Sequence, residues 1–296
     1  LTDSGGYQVS SLGGNKMSKV QYSMFNNAGR EGLTLAKITE DGVEFRSHID
    51  GSRRFLTPEK SIEIQEKLGA DIIMAFDECT PNTDRAYTKA AMERTHRWLA
   101  RSKKRWMELE RSKVQGSMSN KNRQVLFGII QGGTSKKLRR ESAKFVVDQE
   151  LPGIAIGGES IWSEPKETAE VISWVRDLLP KDKPLYTMGV GVAPSHLVAA
   201  VKAGADMFDC VAPTRLARMG LLYHPEGKSE RINISNARFV KDKKVIWGRC
   251  DCYTCRSGFS RGYLNHLFRS KELLYYRLAS IHNLRVTILT VEELSS

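Results

Sequence analysis

Three closely spaced cysteines near the carboxyl end of the 296-residue chain have the residue type and spacing of a metal site. Cys250, Cys252 and Cys255 fall within six residues, so their thiolates can all reach one tetrahedral ion. His282, which follows a predicted helix, is the expected fourth ligand, and His266 inside that helix is the rival. Four protein ligands leave no open position, which predicts one structural zinc ion per chain.

Free thiols and disulfides are the alternatives for the five cysteines of the chain. We see no secretory signal in the sequence, which favours metal binding over disulfides. Three thiols packed this closely also favour metal over free cysteines. We therefore expect a reducing, cytoplasmic setting.

Two carboxylates could perform covalent chemistry on a sugar. Asp209 lies near the end of an apolar strand predicted over residues 207–211, and Asp3 lies in an Asp-Ser-Gly-Gly sequence. Paired carboxylates suit glycosidic bonds, because one attacks the anomeric carbon while the other handles the proton. The alternative for Asp209 is capping of a strand beside a solvated loop that carries Arg215 and Arg218.

Positive charge is concentrated in the part of the chain that follows Asp209. The whole chain carries +12, from 46 basic and 34 acidic residues. Residues 214–261 hold eleven Lys and Arg against four acidic residues, an excess of seven. This concentration predicts contacts with phosphates, and a solvated basic surface is the alternative. No run approaches the roughly 18 apolar residues of a membrane span, so we expect no membrane partner.

Apolar strands alternate with amphipathic helices through most of the chain, which predicts a parallel sheet covered on its faces. A hairpin (residues 35–38 and 43–46) and a helix capped by Thr57 come before this pattern. The predicted strands are residues 71–76, 125–130, 153–156, 185–188 and 207–211. The predicted helices are residues 84–111, 135–149, 164–179 and 194–203, with a last one at about 263–280.

Polar residues and glycines follow the carboxyl end of every predicted strand. They include Asp77, Gln131, the Gly157-Gly158 pair and Asp209. In a (β/α)8 TIM barrel these ends meet at one mouth, where the chemistry lies; an open doubly wound sheet is the alternative. Leu1 to Asp3 would be the tail of a sixth strand. A closed barrel then requires two further βα units and most of a third strand before Leu1.

We expect two domains. Residues 1–248 form a partial (β/α)8 catalytic barrel with a β-hairpin insertion near residues 35–50, and residues 249–296 form a zinc-binding subdomain with a helix. A barrel that lacks amino-terminal units exposes unpaired strand edges, which invite aggregation. We therefore expect residues 1–296 alone to be poorly soluble and weakly active.

Seven motifs occur in one order along the chain: DSGGYQV, FDECTP, GIIQGG, AIGG, MGVG, FDCVAPTRLAR and CDCYTC…IHN. In this order they resemble the bacterial-type tRNA-guanine transglycosylases over essentially the whole chain. The resemblance implies a (β/α)8 barrel with a zinc-binding carboxy-terminal insertion. It implies a pentosyltransferase that exchanges guanine 34 of tRNA for a 7-deazaguanine in queuosine biosynthesis, through a covalent RNA–enzyme ester and without a nucleotide cofactor.

The resemblance also implies a role for individual residues. Asp209 would be the nucleophile on the ribose C1′, and Asp3 the general acid/base. Asp77 would accept hydrogens from the Watson–Crick edge of guanine. The other implied contacts to the base are Ser4, Gly5, Gly6, Tyr7, Gln131 and Gly158. The implied contacts to RNA are Gly189, Val190, Gly191, Val192, Ala193, Pro194, Ser195, Thr214, Arg215, Leu216, Ala217 and Arg218. The implied zinc ligands are Cys250, Cys252, Cys255 and His282.

The preferred incoming base is 7-aminomethyl-7-deazaguanine (preQ1), because the motifs are of the bacterial type and include Cys79. A larger base that carries a cyclopentenediol is the alternative. Residues 159–163 depart from the family's Leu-Ala-Val-Gly-Glu run and leave open which group contacts the 7-substituent. The residue 15–30 loop has no assigned role.

The resemblance implies a cytoplasmic homodimer with tRNA as partner. A non-catalytic RNA-binding partner subunit of the same fold is the second hypothesis, and the presence of both Asp3 and Asp209 favours the enzyme. A sugar-phosphate barrel enzyme is a third, for which the cysteine cluster would have no purpose.

Overall fold

The computed structural model describes residues 1–6, 36–47, 49–79, 84–115, 123–158, 165–227 and 229–295. The chain divides into two compact units. The first unit is Leu1–Ser160 with Val171–Thr187, and the second is Ile161–Glu170 with Met188–Ser296. Tyr7, residues 159–163 and the residue 15–30 loop lie outside the described residues. The predicted domain boundary after residue 248 stays a prediction.

A small antiparallel sheet begins the described part of the first unit. It consists of β1 (Ala36–Ile38), β2 (Val43–Arg46) and β3 (Arg53–Leu56). The predicted hairpin supplies β1 and β2, whereas β3 escaped prediction because its first three side chains are exposed and show no apolar alternation. Ala36 and Val43 pack with two large rings, Phe76 and Trp98, which stack 4.8 Å apart.

Helix α1 (Pro58–Leu68) begins and ends where local chemistry predicts. The Thr57 hydroxyl accepts a hydrogen bond from the Lys60 N–H at 3.2 Å, and Gly69 closes the helix with φ 72°. The buried Gln65 amide then bonds both the N–H and the carbonyl of Met74, at 2.9 and 2.8 Å. These bonds fix α1 against the first strand of the parallel sheet.

Four parallel strands of the first unit lie side by side in sequence order: β4 (Ile72–Met74), β5 (Val125–Ile130), β6 (Gly153–Ile156) and β7 (Leu185–Thr187). Helices alternate with them: α2 (Arg85–Gln115), α3 (Lys136–Asp148) and α4 (Pro165–Arg176). Every side chain of β6 and β7 is buried, as expected of a sheet covered on its faces. The structure confirms the predicted α/β fold with a parallel, half-barrel sheet.

The predicted strand tail at Leu1–Asp3 is not a strand in the structure. One backbone bond is formed there, from the Thr2 N–H to the Ile72 carbonyl at 3.0 Å. The segment therefore runs beside β4 without a regular ladder.

The second unit contains α5 (Pro194–Lys202), β8 (Met207–Phe208), α6 (Ala212–Arg218) and a hairpin of β9 (Leu221–Tyr223) and β10 (Arg231–Asn233). A 3₁₀ turn (Ala237–Phe239) and helices α7 (Tyr253–Arg256), α8 (Arg261–Arg269) and α9 (Leu273–Ser295) follow. None of the helices in the described ranges is long and apolar enough to cross a membrane.

Two sequence predictions in this unit are wrong. The strand predicted over residues 207–211 ends at Phe208, and the stretch interpreted as a loop with two arginines is helix α6, whose first turn accommodates Pro213. The single helix predicted at 263–280 is two helices. Lys271 adopts φ 57°, and the Glu272 N–H bonds the Leu267 carbonyl at 3.0 Å, which ends α8 in a Schellman motif.

Candidate active site and metal centre

A buried carboxylate and a buried amide form the centre of the first site, at the carboxyl ends of β4 and β5. Asp77 is 4% exposed and Gln131 is 2% exposed. Gln131 Nε2 donates to Asp77 Oδ2 at 2.7 Å, and the Ser4 hydroxyl donates to Asp77 Oδ1 at 3.0 Å. Gln131 Oε1 is buried without a hydrogen-bond partner among the described residues. The site thus presents an oriented carboxylate beside an open acceptor.

Three glycines give this site its shape. A Cβ atom at Gly6 would lie 2.2 Å from Asp77 Oδ1, and one at Gly157 would lie 2.8 Å from Gln131 Nε2. Gly158 has φ 98°, and a Cβ there would lie 3.0 Å from Gln131 Oε1. No larger residue fits at these positions without displacing the polar pair, so backbone closely surrounds both groups.

Arg139 of α3 holds the ends of two strands together. It is 1% exposed, and its guanidinium donates to the carbonyls of Ile130, Gly133 and Gly157 at 2.7 to 2.8 Å. Sequence reasoning missed this residue, because the run Lys136-Lys137-Leu138-Arg139-Arg140 resembles a solvated helix face. The only signal in the sequence was helical spacing, which puts Arg139 on the buried face of α3.

The carboxyl group of Asp77 holds its proton unusually strongly. Burial in the low-dielectric site, followed by repulsion from Asp3, raises its pKa from 3.8 to about 7. The hydrogen bonds from Gln131 and Ser4 act in the opposite direction and limit the rise. A group that titrates near neutrality can respond to a bound ligand by changing its protonation state.

The two predicted catalytic carboxylates are both exposed, and each lies in its own unit. In the first unit, Asp3 Oδ1 accepts a hydrogen bond from the N–H of Ser4 at 2.8 Å. Gly5 follows directly after Ser4. In the second unit, Asp209 Oδ1 accepts the N–H of Gly189 at 2.9 Å. Each carboxylate is therefore oriented by a backbone amide of a neighbouring turn.

The two stretches predicted to contact RNA differ in how their side chains are placed. In residues 189–195, Val190 and Ala193 are buried, while Ser195 is partly exposed. In residues 214–218, Arg218 is exposed, whereas Ala217 packs in the core of the second unit. Contacts from the buried members could use only their backbone atoms.

The predicted metal ligands come together in the second unit. The donor atoms of Cys250, Cys252, Cys255 and His282 all lie within 4.8 Å of one another, and all four residues are buried. His282 Nδ1 lies 3.7 Å from Cys252 Sγ and 3.4 Å from Cys255 Sγ. Bonds of about 2.3 Å to sulfur and 2.0 Å to nitrogen give tetrahedral edges of about 3.6 Å, so the arrangement fits a tetrahedral ion.

Local contacts fix the direction of each ligand. His282 Nε2 faces the Tyr223 carbonyl at 2.8 Å, which leaves Nδ1 directed at the sulfurs. The Thr254 hydroxyl bonds the Leu278 carbonyl at 2.7 Å and holds the cysteine loop against α9. The rival ligand His266 is exposed. The break between α8 and α9 places His282 inside α9, where the sequence analysis had placed it after a helix.

Hydrogen bonds among the four ligand side chains use protons that a bound cation would displace. Hydrogen bonds from Cys250 and Cys255 hold the pKa of Cys252 below its usual range. Burial lowers the pKa of His282, but hydrogen bonds with Cys252 and Cys255 outweigh it and raise the pKa to about 9. Metal ions bind thiolates and neutral imidazole, and so take the place of these protons.

Comparison with known proteins identifies the family of the chain. A family model described as queuine tRNA-ribosyltransferase matches residues 1–295. The chain belongs to the queuine tRNA-ribosyltransferase family. It is 51% identical to the queuine tRNA-ribosyltransferase of Herpetosiphon aurantiacus, 48% to that of Caldanaerobacter subterraneus subsp. tengcongensis and 47% to that of Symbiobacterium thermophilum.

These alignments cover 99% of this chain and 65%, 69% and 64% of the three relatives. The chain therefore spans about two thirds of the length of the curated relatives that it matches. The family resemblance read from seven motifs is confirmed, and it extends over the described parts of both units.

A second residue, in the other unit, also escaped the sequence analysis. Asn283 is fully buried, and its amide donates to the carbonyls of Pro213 and Leu221 at 2.9 and 3.0 Å. Asn283 follows His282 in the Ile-His-Asn motif, and this position in a motif was the sequence signal that could have identified it. Adjacent residues of α9 thus serve the metal cluster and the strand that supports it.

Proposed function

We propose that this chain carries the catalytic part of a tRNA-guanine transglycosylase. It would exchange guanine 34 of tRNA for preQ1 in queuosine biosynthesis, through a covalent intermediate on Asp209. The observation that carries the proposal is the buried Asp77–Gln131 pair, with its open acceptor and its glycine surroundings, in a chain of this family. tRNA and a 7-deazaguanine base are the proposed partners, with a homodimer as the proposed assembly.

Base recognition would use the donors on guanine's edge. Guanine presents an exocyclic N2 amino group and an N1–H, and a carboxylate has acceptor positions for both. Each oxygen of the Asp77 carboxylate accepts one hydrogen bond from a described residue and can accept another, and Gln131 Oε1 offers a further acceptor. The Gly158 amide would complete recognition, with Ser4, Gly5, Gly6 and Tyr7 around the base.

In the first chemical step, a carboxylate oxygen of Asp209 would bond to C1′ of ribose 34. The C1′–N9 bond breaks, its electron pair goes to the guanine ring, and Asp3 supplies the proton. The Gly189 N–H on Asp209 Oδ1 would orient the attacking carboxylate. Unstacking the wobble base is a prerequisite and is easiest in a single-stranded anticodon loop.

In the second step, the incoming 7-deazaguanine would give its N9 proton to Asp3. Its N9 bonds to C1′, and the ester to Asp209 breaks. One glycosidic bond replaces another, so the reaction needs neither ATP nor a redox partner. Residues 189–195 and 214–218 would hold the RNA, and Arg215 and Arg218 could pair with its phosphates.

Zinc is the metal we propose for the cluster of three cysteines and His282. This donor set suits a closed tetrahedral site, and zinc there would supply folding free energy. The cluster would therefore stabilise the second unit and take no part in bond breaking.

Exchange of labelled guanine into tRNA tests this function. Asp209→Asn should lose exchange by about a thousandfold or more, because an amide does not attack C1′. Asp206→Asn, three residues earlier on the same segment, is the matched control and should keep wild-type exchange. RNA binding by the wild type without exchange would contradict the proposal and favour a non-catalytic RNA-binding subunit.

Competition of preQ1 and queuine against labelled guanine identifies the preferred base. We expect preQ1 to compete at the lower concentration. Preference for the larger base would overturn the assignment of preQ1 while leaving the exchange reaction intact.

A further inference from the structure

Tyr223 joins the metal cluster to the loop that orients Asp209. Its side chain is 1% exposed, and its hydroxyl donates to the Val192 carbonyl at 3.0 Å, with Gly191 O at 3.4 Å. Its backbone carbonyl faces Nε2 of the metal ligand His282 at 2.8 Å. One residue of β9 therefore contacts the loop through its side chain and the metal ligand through its backbone.

Glycine backbone angles and close packing also constrain the loop between β7 and α5. Gly189 and Gly191 both have positive φ, 72° and 127°. A Cβ at Gly191 would lie 2.9 Å from Leu197 and 3.4 Å from Cys210. Two residues before Gly191, the Gly189 N–H bonds Asp209 Oδ1. A shift of Gly191 or Val192 would therefore move the amide that holds Asp209.

The same hairpin also contacts the first turn of α5, which directly follows the loop. Ser195 Oγ donates to Glu230 Oε2 at 2.5 Å, and Glu230 precedes the residue that pairs with Tyr223 in the β9–β10 ladder. The Asn283 side chain accepts the Tyr223 N–H at 2.9 Å and fixes β9 to α9. The hairpin is thus held on α9 and in turn holds the loop at Gly191 and Val192 and the start of α5 at Ser195.

We propose that Tyr223 is a positioning residue, which transmits the rigidity of the metal cluster through residues 189–192 to the carboxylate of Asp209. This rests on the proposed role of Asp209 as nucleophile. The role of Tyr223 is to hold the Gly189 amide where it can orient the attacking oxygen.

Tyr223→Phe separates the two contacts, because it removes the hydroxyl and keeps the backbone carbonyl that faces His282. Tyr275→Phe is the matched control: Tyr275 is fully buried in the same unit, and its hydroxyl donates to the Ala217 carbonyl at 3.0 Å, away from this loop. Each variant loses one buried phenol hydroxyl that donates to backbone carbonyl oxygen. A purely structural role would give both variants the same phenotype.

Hydrogen–deuterium exchange and single-turnover adduct formation with an anticodon stem-loop are the measurements. For Tyr223→Phe we expect faster exchange at residues 188–193, unchanged metal content and unchanged exchange at residues 250–256. We expect adduct formation at least tenfold slower, with RNA affinity within twofold of wild type. Tyr275→Phe should form adduct within twofold of the wild-type rate.

Equal adduct rates in the two variants, or unchanged exchange at residues 188–193 in Tyr223→Phe, would overturn the inference. Loss of the metal from Tyr223→Phe would overturn it too, because the two contacts would then not be separable. Absence of adduct in the wild type would instead contradict the proposed function, and the exchange of residues 188–193 would then decide the role of Tyr223.

Discussion

At the scale of single residues, Asp77 is a carboxyl group that the fold holds away from water. It is buried and lies near Asp3, which both raise its pKa, while hydrogen bonds from Gln131 and Ser4 favour its charged form. Its pKa of about 7 means that a large part of the free protein carries a neutral carboxyl at physiological pH. A base that donates hydrogens to this group requires the ionised form, so binding must expel a proton.

Base affinity should therefore depend on pH in a defined direction. Below about pH 7, where Asp77 is protonated, the affinity for free guanine or preQ1 should fall roughly tenfold per pH unit. Above pH 7 it should be constant. Calorimetric titration from pH 5 to 8 measures this, and buffers of different ionisation heat should reveal close to one released proton at pH 5 and almost none at pH 8. A flat profile below pH 7 would contradict the role of Asp77.

The pH dependence of the free energy of unfolding gives an independent check on the pKa of Asp77. A carboxyl whose folded pKa is raised contributes stability below its unfolded pKa of 3.8, and that stability is lost as pH rises through about 7. Asp77→Asn cannot ionise, so it should be more stable than wild type at pH 8, by at most about 4 kcal/mol, with little difference at pH 4. Denaturant unfolding at the two pH values compares them.

At the scale of elements, the turn after β6 decides how close the backbone comes to the polar pair. Gly157→Ala would place a Cβ 2.8 Å from Gln131 Nε2 and from Ile129 Cγ2, in a packed region. We expect base affinity to fall by about ten- to a hundredfold, the equivalent of 1–3 kcal/mol for overpacking. Binding of preQ1 measured by calorimetry provides the readout.

Gly248→Ala is the matched control for this substitution, because no heavy atom lies within 4 Å of the added Cβ. It should leave base affinity unchanged. Equal affinities in the two alanine variants would mean that the turn after β6 does not shape the base site.

The metal ligands lie on the short helix α7, on the residues just before it, and on the long helix α9. Cys252 caps α7, since its sulfur accepts the Cys255 N–H at 3.4 Å, and His282 lies on α9. Cys252→Ser should lose the metal and cost on the order of several kcal/mol, or about 10 °C or more in Tm. Elemental analysis and thermal unfolding measure the two effects.

Cys79→Ser, in the first unit, is the matched control and should retain metal and Tm. Wild-type protein should contain one equivalent of zinc per chain. Less than a tenth of an equivalent in freshly purified protein would refute a structural zinc site.

Elements with strong local signals were predictable, and those that depend on tertiary contacts were not. The buried runs of β5 and β6 and the Thr57 cap of α1 could be read from the sequence. The three-residue strands β9 and β10 have too few residues to show alternation. The break at Lys271 depends on a left-handed conformation that lysine rarely adopts, so no composition signal marked it.

At the scale of the whole molecule, the order of the motifs along the chain predicted the family, and contacts show how the site residues are held in place. The cysteine spacing predicted the metal ligands, because thiolates two or three residues apart must be neighbours. Asp77 and Gln131 were predicted by the common polarity of strand ends. The contacts of Arg139 and Tyr223 join residues distant in sequence, and one sequence carries no signal for such pairs.

The central claim for the whole molecule is that RNA becomes covalently attached to Asp209. The most direct test mixes the protein with an anticodon stem-loop that carries guanine at position 34, denatures the mixture and separates it on a gel. The wild type should give a band of protein with RNA, mass spectrometry should place the RNA on the peptide that contains Asp209, and Asp209→Asn should give no band. A band of equal intensity in Asp209→Asn, or RNA attached to another peptide, would contradict this account.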